Sequence, residues 1–362
     1  MNSMALPDSD EEEEAFSPQT LRIANDPTLY TKWNRAVAGG NLLLAVCVFM
    51  DDVIYMGASP SVTTEFKERM INLFEMTDLG LMHHFLGLEI KQGEGGVFVS
   101  QAKYAANLLH RFNVTNCEAA ITTPMNVDEK LLIEDDGSGK ADARKFRGLV
   151  RGLACLTRTR PDIALAVARV SEFVRKPTNQ HFGAAKRILG YIAGTRDLGI
   201  WYSNGAEFKL SGFTSSDWDG DRGSRSGFVF SFGSGAVTWS SRKQGVATLS
   251  TSEAEYLAAA TSASEAMWLR RQLGDLDEEQ EDATEILCGN GITKKPLLHG
   301  RTEHIDVELD LIRELVSGGF VSLKFCNDSQ QLADIVTKSL PREKHVDFTA
   351  RLGLCTYRSR VR

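Results

Sequence analysis

The chain has 362 residues, 42% apolar and 25% charged, with a formal net charge of −7. That length supports two domains with cores of their own, and that composition excludes collagen-like, low-complexity and disulfide-scaffold classes. No run approaches the ~20 apolar residues that cross a bilayer. The first residues lack the basic and apolar regions of a secretory signal, so an intracellular place, cytoplasm or nucleus, is expected, away from membranes.

The charge is unevenly placed. Residues 1–15 hold Asp8, Asp10 and Glu11 to Glu14 and no base; without those six acids the chain has 42 acidic and 41 basic residues. Residues 1–25 read as an acidic disordered tail. The rest is close to neutral, so any affinity for nucleic acid has to come from a local patch. The cysteines, Cys47, Cys117, Cys155, Cys288, Cys326 and Cys355, include no CxxC pair, a pattern of reduced thiols and not of a zinc site.

Residues 1–40 show no sustained periodicity. Residues 42–56 predict two strands around an Asp51-Asp52 turn. A helix is predicted over 63–76, where Phe66, Met70, Leu73 and Phe74 recur at helical spacing. HHFLGLEIKQGEGGVFVSQ predicts a second hairpin turning at Gly93 to Gly96, and 102–112 another amphipathic helix. A linker with Pro, Gly, Ser and acids follows. Helices are then predicted over about 141–156, 161–175 and 182–194.

From Glu207 the pattern changes. EFKLSGF, GFVFSFG and AVTWSS predict three strands, and 250–273 a long helix with Ser250 and Glu253 as a capping box. TEILC and FVSLKFC predict strands, EHIDVELDLIRELVSG and QQLADIVTKSL helices. This order implies a mixed α/β sheet covered by helices.

Two features carry chemistry. In LLLAVCVFMDDVIYMG, nine apolar residues run into Asp51 and Asp52 and four more follow. The pair is either a plain turn or a cation site, since adjacent buried carboxylates repel unless a cation lies between them. Adjacent carboxylates can supply the oxygen ligands that Mg²⁺ takes. The second feature is residues 140–160, with seven bases and one acid. Arg144, Arg147, Arg151 and Arg158 fall on one helical face, either a solvated face or a phosphate-binding one.

VCVFMDDVIYMG, FEMTDLGLMHHFLGLEI, KYAANLLHRF, RTRPDIALAV, AAKRILGYIAGTRDLGIWY, TWSSRKQGVATLSTSEAEYLAA, HGRTEHID and QLADIVTKSLP stand in this order. Together they resemble the copia-type retrotransposon Pol polyprotein: the C-terminal part of its reverse transcriptase, then its ribonuclease H domain. The resemblance covers about residues 26–355. It implies an α/β fold: a partial palm at 26–125, a linker at 126–140, a helical thumb or connection at 141–203 and a ribonuclease H-like mixed sheet at 204–345. A C-terminal tail at 346–362 completes the expected division.

The family polymerises DNA on RNA and cleaves RNA–DNA hybrids by two-metal chemistry with Mg²⁺ or Mn²⁺. Its palm site would include Asp51 and Asp52. The family's third palm aspartate lies well upstream; here only Asp26 stands outside the acidic tail, in a context that matches the stretch just before the hairpin, so the chain is expected to begin inside the palm. Of four ribonuclease H carboxylates, Glu255 and Asp334 match the motif, while Ser215 and Gly289 stand at lost ligand positions. Asp217, two residues on, shares a strand face with Ser215 but is displaced by about 6.6 Å. The resemblance also implies that Arg144, Arg147, Arg151, Arg158, Lys186 and Arg187 follow the backbone of a template–primer or RNA–DNA duplex. His83, His84, His299 and His304 lack metal-ligand spacing. Three readings follow: an enzyme segment of a larger polyprotein, a catalytically silent backbone-binding module, or a non-functional remnant. The missing carboxylates argue against activity in this chain.

Overall fold

In the computed structural model, which describes residues 20–22, 26–34, 41–50, 52–114, 121–127, 129, 131, 137–218, 223–246, 248, 250–289 and 306–360, the Asp-Asp hairpin sits in a four-stranded antiparallel sheet. The strands β1 (Thr20–Arg22), β2 (Leu29–Asn34), β3 (Asn41–Phe49) and β4 (Asp52–Gly57) lie in chain order. Helix α1 (Pro60–Leu73) starts with a proline in its first turn, where the missing N–H costs nothing. Its Phe66 and Met70, one turn apart, are buried with Tyr30, Leu44 and Val46. The chain divides into two compact units, Met1–Met82 with Met267–Glu281, and His83–Ala266 with Asp282–Arg362.

The second unit holds two sheets and a helical layer. Strands β5 (His84–Phe85), β6 (Leu88–Gly93) and β7 (Gly96–Ser100) are followed by α2 (Ala102–Arg111), α3 (Ala143–Leu156), α4 (Ala164–Ser171) and α5 (Asn179–Thr195). Phe146, Leu149, Leu153, Ile163, Val167, Ile188, Leu189 and Ile192 form one core with Leu108 and Leu109. Between α3 and α4 the chain turns through Arg160 and a 3₁₀ turn, Pro161–Ile163. Arg160 is buried and bidentate to Asp162 (2.9 and 2.7 Å), and Tyr191 donates to the same carboxylate (2.7 Å). Such a fully partnered pair fixes the turn. Burial and the Asp162 charge push the Tyr191 hydroxyl well above the ordinary tyrosine range.

The remaining elements are β8 (Leu198–Ser203), β9 (Ser211–Asp217), β10 (Arg225–Ser231), β11 (Ala236–Lys243), α6 (Thr251–Gly274), β12 (Thr284–Cys288), α7 (Asp306–Ser317), β13 (Val321–Phe325), α8 (Arg342–Arg351) and β14 (Leu354–Thr356). The mixed sheet has the order β11-β10-β9-β12-β13. Its first three strands are antiparallel, while β12 runs parallel to β9 and β13. This is the mixed α/β sheet read from the sequence, with β9 as its central strand.

Several expectations are revised. The predicted final helix over QQLADIVTKSL is a 3₁₀ turn, Leu332–Val336, started by Gln331 accepting from the Ala333 N–H (3.3 Å). Its five residues are all buried, so the apolar pattern reflects burial on every side and not one helical face. The last helix is α8. Strands β1, β2, β8 and β14 had no counterpart in the sequence reading, and β1 lies within the stretch read as a disordered tail, where pairing with β2 orders it. Strand β8 pairs with β7 and β14 in a second sheet, β14-β8-β7-β6-β5. That sheet draws on residues assigned from sequence to the palm, the thumb and the C-terminal tail, because backbone pairing follows edge availability and not motif order. The expected tail past 346 is built into the fold as α8 and β14. Residues 1–19 and 23–25 of the expected acidic tail, Asp51, linker residues 128, 130 and 132–136, His299 and His304 lie outside the described residues.

Candidate functional site

Strand β3 pairs with β4 in a register that sets Val48 opposite Val53 and Phe49 opposite Asp52. Met50, at the tip, has a φ of 52°, a left-handed turn conformation. Asp52 is exposed at the start of the edge strand. Asp26 lies at the same end of the sheet: Leu29 opposes Cys47, and the Thr28 carbonyl accepts from Val48 N–H (2.8 Å). Its carboxylate accepts from the Thr28 N–H (2.9 Å) and hydroxyl (2.7 Å), so it caps the turn into β2.

The four positions expected from the resemblance to match a ribonuclease H site fall into two pairs. Ser215, on β9, is buried and donates to Asp334 Oδ1 (2.9 Å). Asp334 lies in the 3₁₀ turn, whose backbone carries Lys338 back toward it through Lys338 N–H to Asp334 O (2.8 Å). Lys338 Nζ is 3.0 Å from Asp334 Oδ1, and Lys344 Nζ, from α8, is 3.0 Å from Oδ2. Each carboxylate oxygen therefore faces an ammonium group. Asp217 points elsewhere, to Arg169 at 3.1 Å. The expected displacement along the strand is thus realised as a separate ion pair.

The second pair is Glu255, on α6, and Gly289, just past β12. A Cβ at position 289 would stand 2.7 Å from Glu255 Oε1. The glycine thus leaves room for the glutamate carboxylate, and an aspartate there would face it directly. Glu255, Gly289, Ser252, Asn327 and Asp328 line a cavity of about 380 Å³. Burial, then the charges of Glu255 and Cys326, push the Cys288 thiol up to about 12, so it is an inert neighbour and not a nucleophile. Each pair of expected positions is in contact, but the donor set does not fit a pair of divalent ions. Two carboxylates remain of four, and two lysines hold one of those. Among the described residues no group of three or more His, Cys, Asp or Glu side chains is placed to hold a metal.

The basic run divides by face. Arg144, Arg147 and Arg151 are exposed on α3, with Phe146, Leu149, Val150, Leu153 and Leu156 buried on its opposite side; Arg158, expected on the same helical face, is exposed in the turn past the helix end, which Thr157 caps. Asp142 caps the helix, accepting from the Arg144 and Lys145 N–H groups (2.9 and 3.0 Å). Arg111 joins this face: its Nη2 lies 3.7 Å from where a Gly148 Cβ would stand. Sequence reasoning missed Arg111 because it comes from another helix; the neighbouring glycine was the available signal. Lys186 is exposed over the Phe182 ring (5.0 Å). Arg187 is half-buried and donates to Thr123 Oγ1 (3.2 Å), apart from the open arginine row.

The family profile described as reverse transcriptase (RNA-dependent DNA polymerase) matches residues 18–127. The Pol polyprotein of transposon RE1 from Arabidopsis thaliana is 34% identical over 322 residues, 87% of this chain and 22% of that protein. That of transposon TNT 1-94 from Nicotiana tabacum is 32% identical over 342 residues, 90% of this chain and 25% of that protein. An uncharacterized mitochondrial protein of Arabidopsis thaliana is 34% identical over 224 residues, 61% of this chain and 92% of that protein. The chain thus spans about a quarter or less of the transposon polyproteins it matches. Among solved structures, a foamy viral protease-reverse transcriptase in complex with dsDNA aligns at a TM-score of 0.44 and 10% identity, over 78% of this chain and 55% of that one. No helix among the described residues is long and apolar enough to cross a membrane. On the matched motifs and the identity spread along most of its length, the chain belongs to the reverse transcriptase family of copia-type retrotransposon Pol polyproteins.

Proposed function

We propose that this chain grips the phosphate backbone of a template–primer or RNA–DNA duplex without cleaving it. The observation that carries this reading is the exposed arginine row of α3 with Arg111 beside it. Arginine neutralises phosphates without reading bases, so such a face suits a duplex of any sequence. Reverse transcriptases work with divalent metal ions, but hydrolysis is not part of this reading. Ser215 and Gly289 remove two ligands, and Lys338 and Lys344 already neutralise Asp334.

Filter binding of an RNA–DNA hybrid across a salt series tests the proposal. Affinity should fall steeply and linearly in log–log form between about 50 and 200 mM salt. The double variant Arg144→Gln, Arg151→Gln should reduce that slope by about 2, with no change in sequence preference. An unchanged slope in the variant, or no binding at the lowest salt, overturns the proposal and leaves the chain as a remnant.

A further inference from the structure

A cavity of about 400 Å³ lies within the second unit, between α4 and α5 on one side and β9, β11 and the Thr337–Ser339 turn on the other. Its volume falls in the range of small-molecule sites, ~300–1,000 Å³. Leu165, Val170, Phe173 and Ile188 give it an apolar wall. Val170, Phe173 and Ile188 belong to the one core that joins α4 and α5.

The charged groups around the apolar wall are not balanced. Glu172 is shared by two cations, Arg225 and Lys243. Asp217 is taken by Arg169, and Lys338 joins the lining from its pair with Asp334. Burial, and then the nearby Arg169 charge, hold the Arg225 guanidinium below its ordinary value, as expected where cations crowd a partly dry wall. Arg187 lines the same space, and its Nε is buried with no hydrogen-bond partner among the described residues. The guanidinium has no ion-pair partner among the described residues, its one hydrogen bond going from Nη2 to Thr123 Oγ1, so its charge is left for an anionic group at the wall. Glu129 also lines the cavity, so the excess of positive charge is modest and concentrated on the Arg187 and Lys243 sides.

We propose that this cavity binds a small organic anion, its apolar ring between α4 and α5 and its acidic group on Arg187. The site is independent of the arginine row on α3, and either can fail without the other.

Fluorescence titration of the full chain with 1-anilinonaphthalene-8-sulfonate, beside the neutral N-phenyl-1-naphthylamine, tests the proposal. The sulfonate should bind saturably at one site and the neutral amine about ten-fold more weakly, the effect of one charge-assisted hydrogen bond. Arg187→Gln should lower sulfonate affinity about ten-fold and leave the amine unchanged. Ala184→Trp, which fills the space, should abolish both, with thermal melts showing that each variant folds. If the tryptophan variant does not fold, nuclear Overhauser contacts from the sulfonate's ring protons to the methyls of Leu165, Val170 and Ile188 in the unaltered protein replace it. Equal affinity for the two probes, an unaffected Arg187→Gln variant, or contacts to other methyls overturns the proposal.

Discussion

Asp334 has 3% of its side chain exposed, and an isolated charge at that depth would cost several kcal/mol. Ser215, Lys338 and Lys344 remove that cost: one donates a hydrogen bond and the other two supply positive charge to separate oxygens. A metal ion would have to displace both lysines while finding a single carboxylate in return. Glu255 and Gly289 show the other half of the same arithmetic, since the glycine leaves space and no charge. Restoring Ser215→Asp with Gly289→Asp should therefore set two like-charged pairs against each other. The restored protein should lose about 1–3 kcal/mol of stability in chelator and regain part of it on adding Mg²⁺. The unaltered chain should show no Mg²⁺-dependent shift in melting temperature. Two tight Mg²⁺ sites in a calorimetric titration of the unaltered chain would refute the ligand assignment.

At the scale of elements, strand β8 sits between β7 and β14, with Gly199 opposite both Ser100 and Cys355. A Cβ on Gly199 would stand 2.5 Å from the Val99 carbonyl and 2.7 Å from Ser100 Cβ, so backbone has to move to admit it. Gly199→Ala should cost about 1–3 kcal/mol in denaturant unfolding. Gly205→Ala, whose Cβ would meet nothing within 4 Å, should stay within about 0.5 kcal/mol. Equal stability of the two variants would mean that the strand is not packed there. Elements with one buried face were legible in the sequence: α3 shows its 3.6-residue period, and β13 alternates Val321, Leu323 and Phe325 with Ser322 and Lys324. Strand β8 was hidden because Gly199, Ile200 and Trp201 are all buried, which erases alternation. Strand β14 has three residues, too few for any period. Asp334 was legible as a motif position, but its lysine partners depend on a 3₁₀ turn and on α8, neither of which the sequence pattern reveals.

For the whole molecule, charge is the property that couples its parts. The net charge is −7, yet the six acids of residues 1–15 account for nearly all of it, and the arginine row of α3 belongs to a body near neutrality. Duplex nucleic acid meets a net repulsion at long range and an attraction only at close range. On the proposed function, the acidic segment is a polyanion in the same chain and adds to the repulsion that a duplex meets. Both effects are screened by salt, with a Debye length of about 30 Å at 0.01 M and about 8 Å at 0.15 M. Removing residues 1–15 should therefore raise the hybrid association rate at low salt, by about ten-fold, and have little effect near physiological salt. Replacing the acids of that segment with their amides should reproduce the deletion, since charge and not length is what matters. Stopped-flow association measured at both ionic strengths separates the cases. An effect of deletion that persists at high salt would point to direct contact by the segment, and no effect at low salt would show that the arginine row does not bind the duplex through long-range charge.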